Sequence, residues 1–149
     1  MKRTPLVLLA LFAAVSAFAD DLMLAQQKRT IADMRTLATA VEAYATDHNN
    51  YPKVSFEELE QMISPVYIKY VPTLDAWLTS FFYIADGGDH YRFVSAGADG
   101  TFEAASRNLG PTPSKEEAVK DLNADIIYQD GLFIQYPEGA KPPMAPRPH

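Results

Sequence analysis

Asp121, Asn123 and Asp125 alternate as Asp-x-Asn-x-Asp, and Asp99 stands in a second acidic stretch, Gly97-Ala98-Asp99-Gly100. Oxygen side chains at alternate positions suit calcium, which takes roughly six to eight oxygens from carboxylates, amides, carbonyls and water. The alternation opens like an EF-hand loop, but Ile126 stands where its glycine belongs and Leu132 where its last glutamate belongs. An EF-hand is excluded and three oxygen ligands remain. A phosphate cradle at the Gly-Ala-Asp-Gly corner is disfavoured, because Gly100 is followed by Thr101-Phe102-Glu103 and not by the lysine and hydroxyl of a P-loop. The plain alternative is that Asp99 caps a turn through its own backbone and that Asp121 to Asp125 cap a helix end or face water. The residues alone leave cation and turn both open.

Other chemistries find less support. No Gly-x-Ser-x-Gly elbow or Ser-x-x-Lys is present, and His48, His90 and His149 lack the His-Glu-x-x-His spacing of a zinc enzyme. Glu57, Glu58 and Glu60 cluster where they complement a helix dipole. Trp77, Phe81, Phe82, Tyr83, Tyr91 and Phe93 alternate as strand residues do, half of them into a core. The chain reads as no enzyme.

The totals narrow the partners. The 149 residues carry a formal charge of −6 and no cysteine, which removes disulfides and thiol chemistry and disfavours nucleic acid. Lys2 and Arg3 precede an apolar run, Pro5 to Ala19, ending in Ala17-Phe18-Ala19, the three regions of a secretory signal. Its 15 residues fall short of the roughly 20 that span a bilayer. Residues 1–19 are therefore expected to be a cleaved signal peptide, with Asp20 the mature start, a charge of −8, and no stable membrane insertion after cleavage. The expected location is periplasmic or secreted.

The elements that must position the acidic residues follow from periodicity. Leu24, Ile31, Met34, Leu37, Ala38, Val41, Tyr44 and Ala45 recur at helical spacing, which predicts one long amphipathic helix over 22–47. Asn49-Asn50-Tyr51-Pro52 ends it. Ser55 and Glu58 form a capping box that starts a second helix. Thr79 to Ala85 and His90 to Ala96 make one hairpin, and Ile126 to Gln129 with Leu132 to Tyr136 make another around Asp130-Gly131. Between them a short helix is expected after Ser114, which Glu117 follows by three residues. The whole is an α+β fold: a domain over 20–136 with its sheet region at 79–136, antiparallel throughout, and a proline-rich flexible tail over 137–149.

Ile31 to Leu37 through Val41 to Tyr44, Asp47 to Pro52, Val71-Pro72 with Asp75-Ala76-Trp77, Phe82-Tyr83, Ser95 to Gly100 and Ala124-Asp125-Ile126 share an order that resembles the periplasmic domain of the type II secretion major pseudopilin, in the type IV pilin superfamily. The match covers about residues 25 to 136. It implies a long helix laid on a small antiparallel sheet, polymerisation through that helix, and calcium in the C-terminal loop. In the family an aspartate of the glycine corner meets an aspartate pair before the last Ile. Here those positions are Asp99 and Ala124-Asp125, so one of the pair is missing, and the expected metal set is Asp99, Asp121, Asn123 and Asp125. The 25 residues between Asp99 and Asp125 also exceed the family's short loop, although loop length alone raises closure entropy only slowly.

A larger departure lies at the start. The family's precursors carry a glycine before the prepilin-peptidase cut and a glutamate at the fifth position after it, whereas the first glycine here is Gly87 and the first glutamate Glu42. Processing of the usual prepilin kind is not expected. The resemblance then implies a secreted or periplasmic pseudopilin-like protein, lacking the prepilin N-terminus, that acts by protein contact with secretion-system components. The alternative function is a secreted binding module of pilin-like fold that recognises a surface protein or glycan.

Overall fold

A computed structural model describes residues 4–112 and 115–142, with side chains from residue 18 onward. Helix α1, Thr4–His48, is longer at its N-terminal end than the stripe required, since no Gly or Pro breaks it after Pro5. It therefore runs unbroken through Asp20, where leader cleavage is expected; the leader's residues 1–3 lie outside the described residues. Ile31, Met34, Leu37, Ala38 and Val41 are buried along one face, the i, i+3, i+4 stripe of a helix that packs on a sheet. Asn49 ends it in the left-handed region at φ 59°, its N–H on the Ala45 carbonyl at 2.7 Å.

Helix α2, Phe56–Ile63, starts at the expected capping box: the Glu58 N–H donates to the Ser55 hydroxyl and the Ser55 N–H to the Glu58 carboxylate. It buries Leu59 and Ile63 against the same core.

Five strands follow: β1 Phe82–Ala85, β2 Tyr91–Ser95, β3 Glu117–Val119, β4 Ile126–Gln129 and β5 Leu132–Pro137, in the sheet order β1-β2-β4-β5-β3. Both expected hairpins form, and Asp130 and Gly131 take the positive φ angles (48° and 92°) of a primed turn. Every residue of β2 is buried. Tyr91 and Phe93 enter the core under α1, while Arg92 and Val94 face the other way and are covered by the connection that follows residue 96.

Two expectations about the chain after Pro111 are corrected. The helix foreseen after Ser114 is instead strand β3, paired parallel to β5 with Glu117 opposite Gln135, so the sheet is not antiparallel throughout. Ser114 itself lies outside the described residues. The open edge of β5 offers ladder partners, and a local capping signal on so short a segment cannot compete, because short helices are marginal without packing. The flexible tail does not begin at Pro137 either. Pro137 closes β5, and Glu138–Ala140 form a 3-10 turn that buries Ala140 beside α1. Residues 143–149 of that tail lie outside the described residues.

Candidate functional site

The glycine corner is a 3-10 turn, Gly97–Asp99, at the end of β2. Gly97 has φ 68°, and a Cβ there would lie 2.7 Å from the Ala124 carbonyl and 3.1 Å from those of Asn123 and Leu122. Only glycine lets the two backbones meet so closely. The Ala98 N–H donates to the Leu122 carbonyl at 3.0 Å, so the long loop closes and brings residues 122–124 onto the corner.

The four expected calcium ligands are brought to one region but not into one cage. Asp99 is exposed and its Oδ1 accepts from the Thr101 N–H at 2.8 Å. Asp121 is exposed and accepts from the Asn123 N–H at 2.9 Å, and the Asn123 side chain is exposed. Both aspartates thus make the self-capping turns that their type favours. Asp125 alone is buried, with Oδ2 accepting from the Glu103 N–H at 2.9 Å. Its Oδ1 makes no well-formed hydrogen bond, and the Ser106 hydroxyl is the other polar group acting on the carboxylate. Burial pushes the Asp125 carboxyl above its ordinary range, and the charges of Glu103 and Asp99 push the same way. Among the described residues, no three His, Asp or Glu side chains gather at metal-holding spacing.

Two further polar groups fix this region. Asp75 is fully buried in the turn before β1: Oδ1 accepts from the Trp77 and Thr79 N–H groups at 3.0 and 2.9 Å, and Oδ2 from the Ser95 hydroxyl at 2.7 Å. The neighbouring Ala76 N–H donates to Thr30 of α1 at 3.1 Å, and Gln26 donates to the Ala76 carbonyl. A continuous path therefore links the corner, through Ser95 and Asp75, to the helix. On the outer face the buried Arg92 guanidinium donates to the Gln129 side-chain oxygen and to the Ser106 carbonyl, and Gln129 donates to the Gly110 carbonyl at 2.8 Å. These bonds hold the long loop against β2 and β4.

Sequence reading missed Arg92, Gln129 and the link from Asp75 to Ser95, because the partners that join these residues lie well apart in the chain. A charged residue inside an aromatic strand was the available signal for Arg92. The histidines sit where the elements put them: His48 stacks on Tyr44 at the end of α1, and His90 pairs with Asp130 at 3.0 Å. Exposed apolar side chains lie on α1 at Phe18 and Leu22 and on the α2–β1 connection at Val66, Tyr70, Leu74 and Leu78.

A long helix on a small, mostly antiparallel sheet, with a glycine corner tied to the last hairpin, defines a pilin-like α+β protein. The family model for type II secretion system protein G, the major pseudopilin, matches residues 18–112, and the chain belongs to that family. The match ends before the Asp121 to Asp125 side of the corner. No curated protein matches the chain. Among the described residues, no helix is long and apolar enough to cross a membrane.

Proposed function

We propose that the protein is an exported, non-enzymatic pseudopilin-like protein that acts by contact with other components of a type II secretion apparatus. The observation that carries this reading is the family match over residues 18–112, which spans α1 from residue 18 onward, α2 and the first hairpin. The exposed Leu22 and Met23 on α1, which both remain in a chain starting at Asp20, add apolar surface of the kind that protein contacts use. Export is proposed to follow removal of residues 1–19, leaving Asp20 first, with a periplasmic or secreted product. Mass spectrometry of the exported protein tests the processing, and a mature start elsewhere refutes it. Crosslinking in the producing cell followed by affinity purification tests the contact. Recovery of secretion components is expected, and a free protein without them refutes the assignment.

For the corner we propose closure by protein groups in the place where the family resemblance implies calcium. Leu122 O, Asp99 Oδ1, Asp121 Oδ1 and Asp125 Oδ2 each already accept a hydrogen bond, and Ala124 stands where the family's pair has its other aspartate. A calcium-dependent rise in melting temperature would overturn this and restore the ion as ligand of Asp99, Asp121, Asn123 and Asp125.

A further inference from the structure

The two edges of the sheet are guarded differently. The outer edge of β3 is three residues long and carries an exposed Glu117, a usual defence against unwanted pairing. Strand β1 has no such guard. In an antiparallel ladder alternate residues bond to the neighbour, and the Asp86 N–H donates to the His90 carbonyl at 3.1 Å. With the register Ala85 to Tyr91 and Tyr83 to Phe93, the main-chain groups of Tyr83 and Ala85 therefore point away from β2. Among the described residues neither main chain finds a partner on that side. Upstream the edge is closed, since Leu74 bridges Ser80 and the Phe81 N–H reaches the Thr73 carbonyl.

The open length is the floor of a cleft of about 610 Å³, walled by Val54, Ser55 and Glu58 on the α2 side and by Asn108 and Leu109 on the loop side. That volume falls in the range of sites that take one ligand, about 300–1,000 Å³. The cleft's charges narrow the partner. Glu58, held by Ser55, and Asp86, which accepts from the Gly88 and His90 N–H groups, keep their negative charge, so the positive charge of the lining is confined to Lys53. Lys53, at the rim, makes no ion pair among the described residues.

We infer that the open edge of β1 is a docking site for one extended polypeptide segment, which adds as a further strand on Tyr83 and Ala85 and sets an acidic side chain beside Lys53. Main-chain hydrogen bonds supply the attraction, and Lys53 supplies selectivity. The site gives a partner chemistry to the contact function proposed above and rests on that reading.

The test uses the full, isotopically labelled chain and the blocked peptide acetyl-Thr-Val-Thr-Ile-Glu-Val-amide. Its control is the same peptide N-methylated at alternate amides, which keeps the side chains and loses the donors. The expected result is slowed exchange of the Tyr83 and Ala85 amides with the first peptide and not with the second. Leu109→Arg, which fills the cleft from its wall, and Ala85→Pro, which removes an edge donor and no ladder bond, should each weaken binding about tenfold or more. Lys53→Glu should weaken this peptide and spare its Glu-to-Lys analogue. Equal binding of the methylated peptide, or no effect of Leu109→Arg, overturns the site. So does protection of the two amides that rises with protein concentration alone, which would assign the edge to a second copy. If crosslinking still recovers secretion components when the peptide fails, the edge site falls and the contact function stands.

Discussion

Gly97 and Gly100 have nearly the same backbone angle, φ 68° and 67°, and differ in what surrounds them. This makes Gly97→Ala and Gly100→Ala a matched pair for measuring how tightly the long loop is closed. Both alanines incur the left-handed penalty of about 1–2 kcal/mol, and both recover about 0.4–1 kcal/mol by restricting the unfolded chain. Gly100→Ala then meets only the Thr79 hydroxyl, 3.1 Å from the new Cβ, on a side chain that can turn aside. Gly97→Ala meets three backbone carbonyls at 2.7 to 3.1 Å, which move only if residues 122–124 retreat. Overpacking of that kind costs about 1–3 kcal/mol more. The expected ordering is therefore a net loss near 1 kcal/mol for Gly100→Ala and about 2–4 kcal/mol for Gly97→Ala. Urea unfolding measures both, with unchanged m values as the check that only the native state was altered. Amide exchange at Ala98 should accelerate in Gly97→Ala alone, because its bond to Leu122 is the closure. Equal losses in the two variants, within about 0.5 kcal/mol, would refute the closed corner.

Asp75→Ala strands the Ser95 hydroxyl and the Trp77 and Thr79 amides, so a loss of about 2–4 kcal/mol is expected on urea unfolding, and a loss below about 1 kcal/mol would show the turn to be wet. His90→Gln tests the His90–Asp130 pair through pH. The hydrogen bond to Asp130 raises His90 above 6.5, so its contribution is complete below 6.5 and fades as pH rises through the folded value. Asp130 is lowered below 3.8: burial alone would raise it, but bonds from Thr112, the Tyr91 amide, His90 and Gln129 outweigh burial, so its contribution is lost only as pH falls past its folded value. The stability gap between wild type and variant should thus be wider near pH 5.5 than near pH 8, two points on either side of the ordinary histidine range. Asp125→Asn removes a buried charge and keeps an acceptor for the Glu103 amide; because the folded carboxyl titrates above its unfolded value, the substitution should help most above that range and make no difference in acid. Calcium should leave the melting temperature of both proteins unchanged, and a shift in the wild type alone would return Asp125 to a metal site.

The parts of this fold that were legible in the sequence are those whose signal and structure are local. Ser55 and Glu58 lie three residues apart and cap each other, and Asp130-Gly131 specifies a turn from two residues. The stripe from Ile31 to Val41 is a property of one helix face. Strand β3 was not legible, because what makes it a strand is the open edge of β5, some 18 residues away at Gln135. The same holds for the outer-face lock. Arg92 meets Gln129 across the β2–β4 ladder and Ser106 across a loop, and neither spacing has a periodicity to read. In the corner, residue types were legible and roles were not. Asp99 and Asp121 use their carboxylates on amides two residues onward, a local choice that competes with any shared ligand.

The long connection changes where the corner draws its stability. A short loop closed by an ion concentrates attraction at one point, but a stretch reaching from Gly97 to Asp125 must also be held along its length. Arg92 and Gln129 do this by binding the carbonyls of Ser106 and Gly110, near its middle, to the outer face of the sheet. Those side chains are buried by the loop that they fix, so the loop and the outer face order together. Burial depresses the Arg92 guanidinium while Asp130 supports it, which places a cation under the loop with a carboxylate in the adjoining turn. Gln129→Ala would leave that guanidinium with its main acceptor gone, and the loop should open at Ser106 and Gly110 before the sheet unfolds. Local exchange at residues 103–110, at urea concentrations that leave β2 and β4 protected, measures this. Simultaneous loss of protection in loop and strands would mean that the corner, and not the outer-face pair, holds the connection in place.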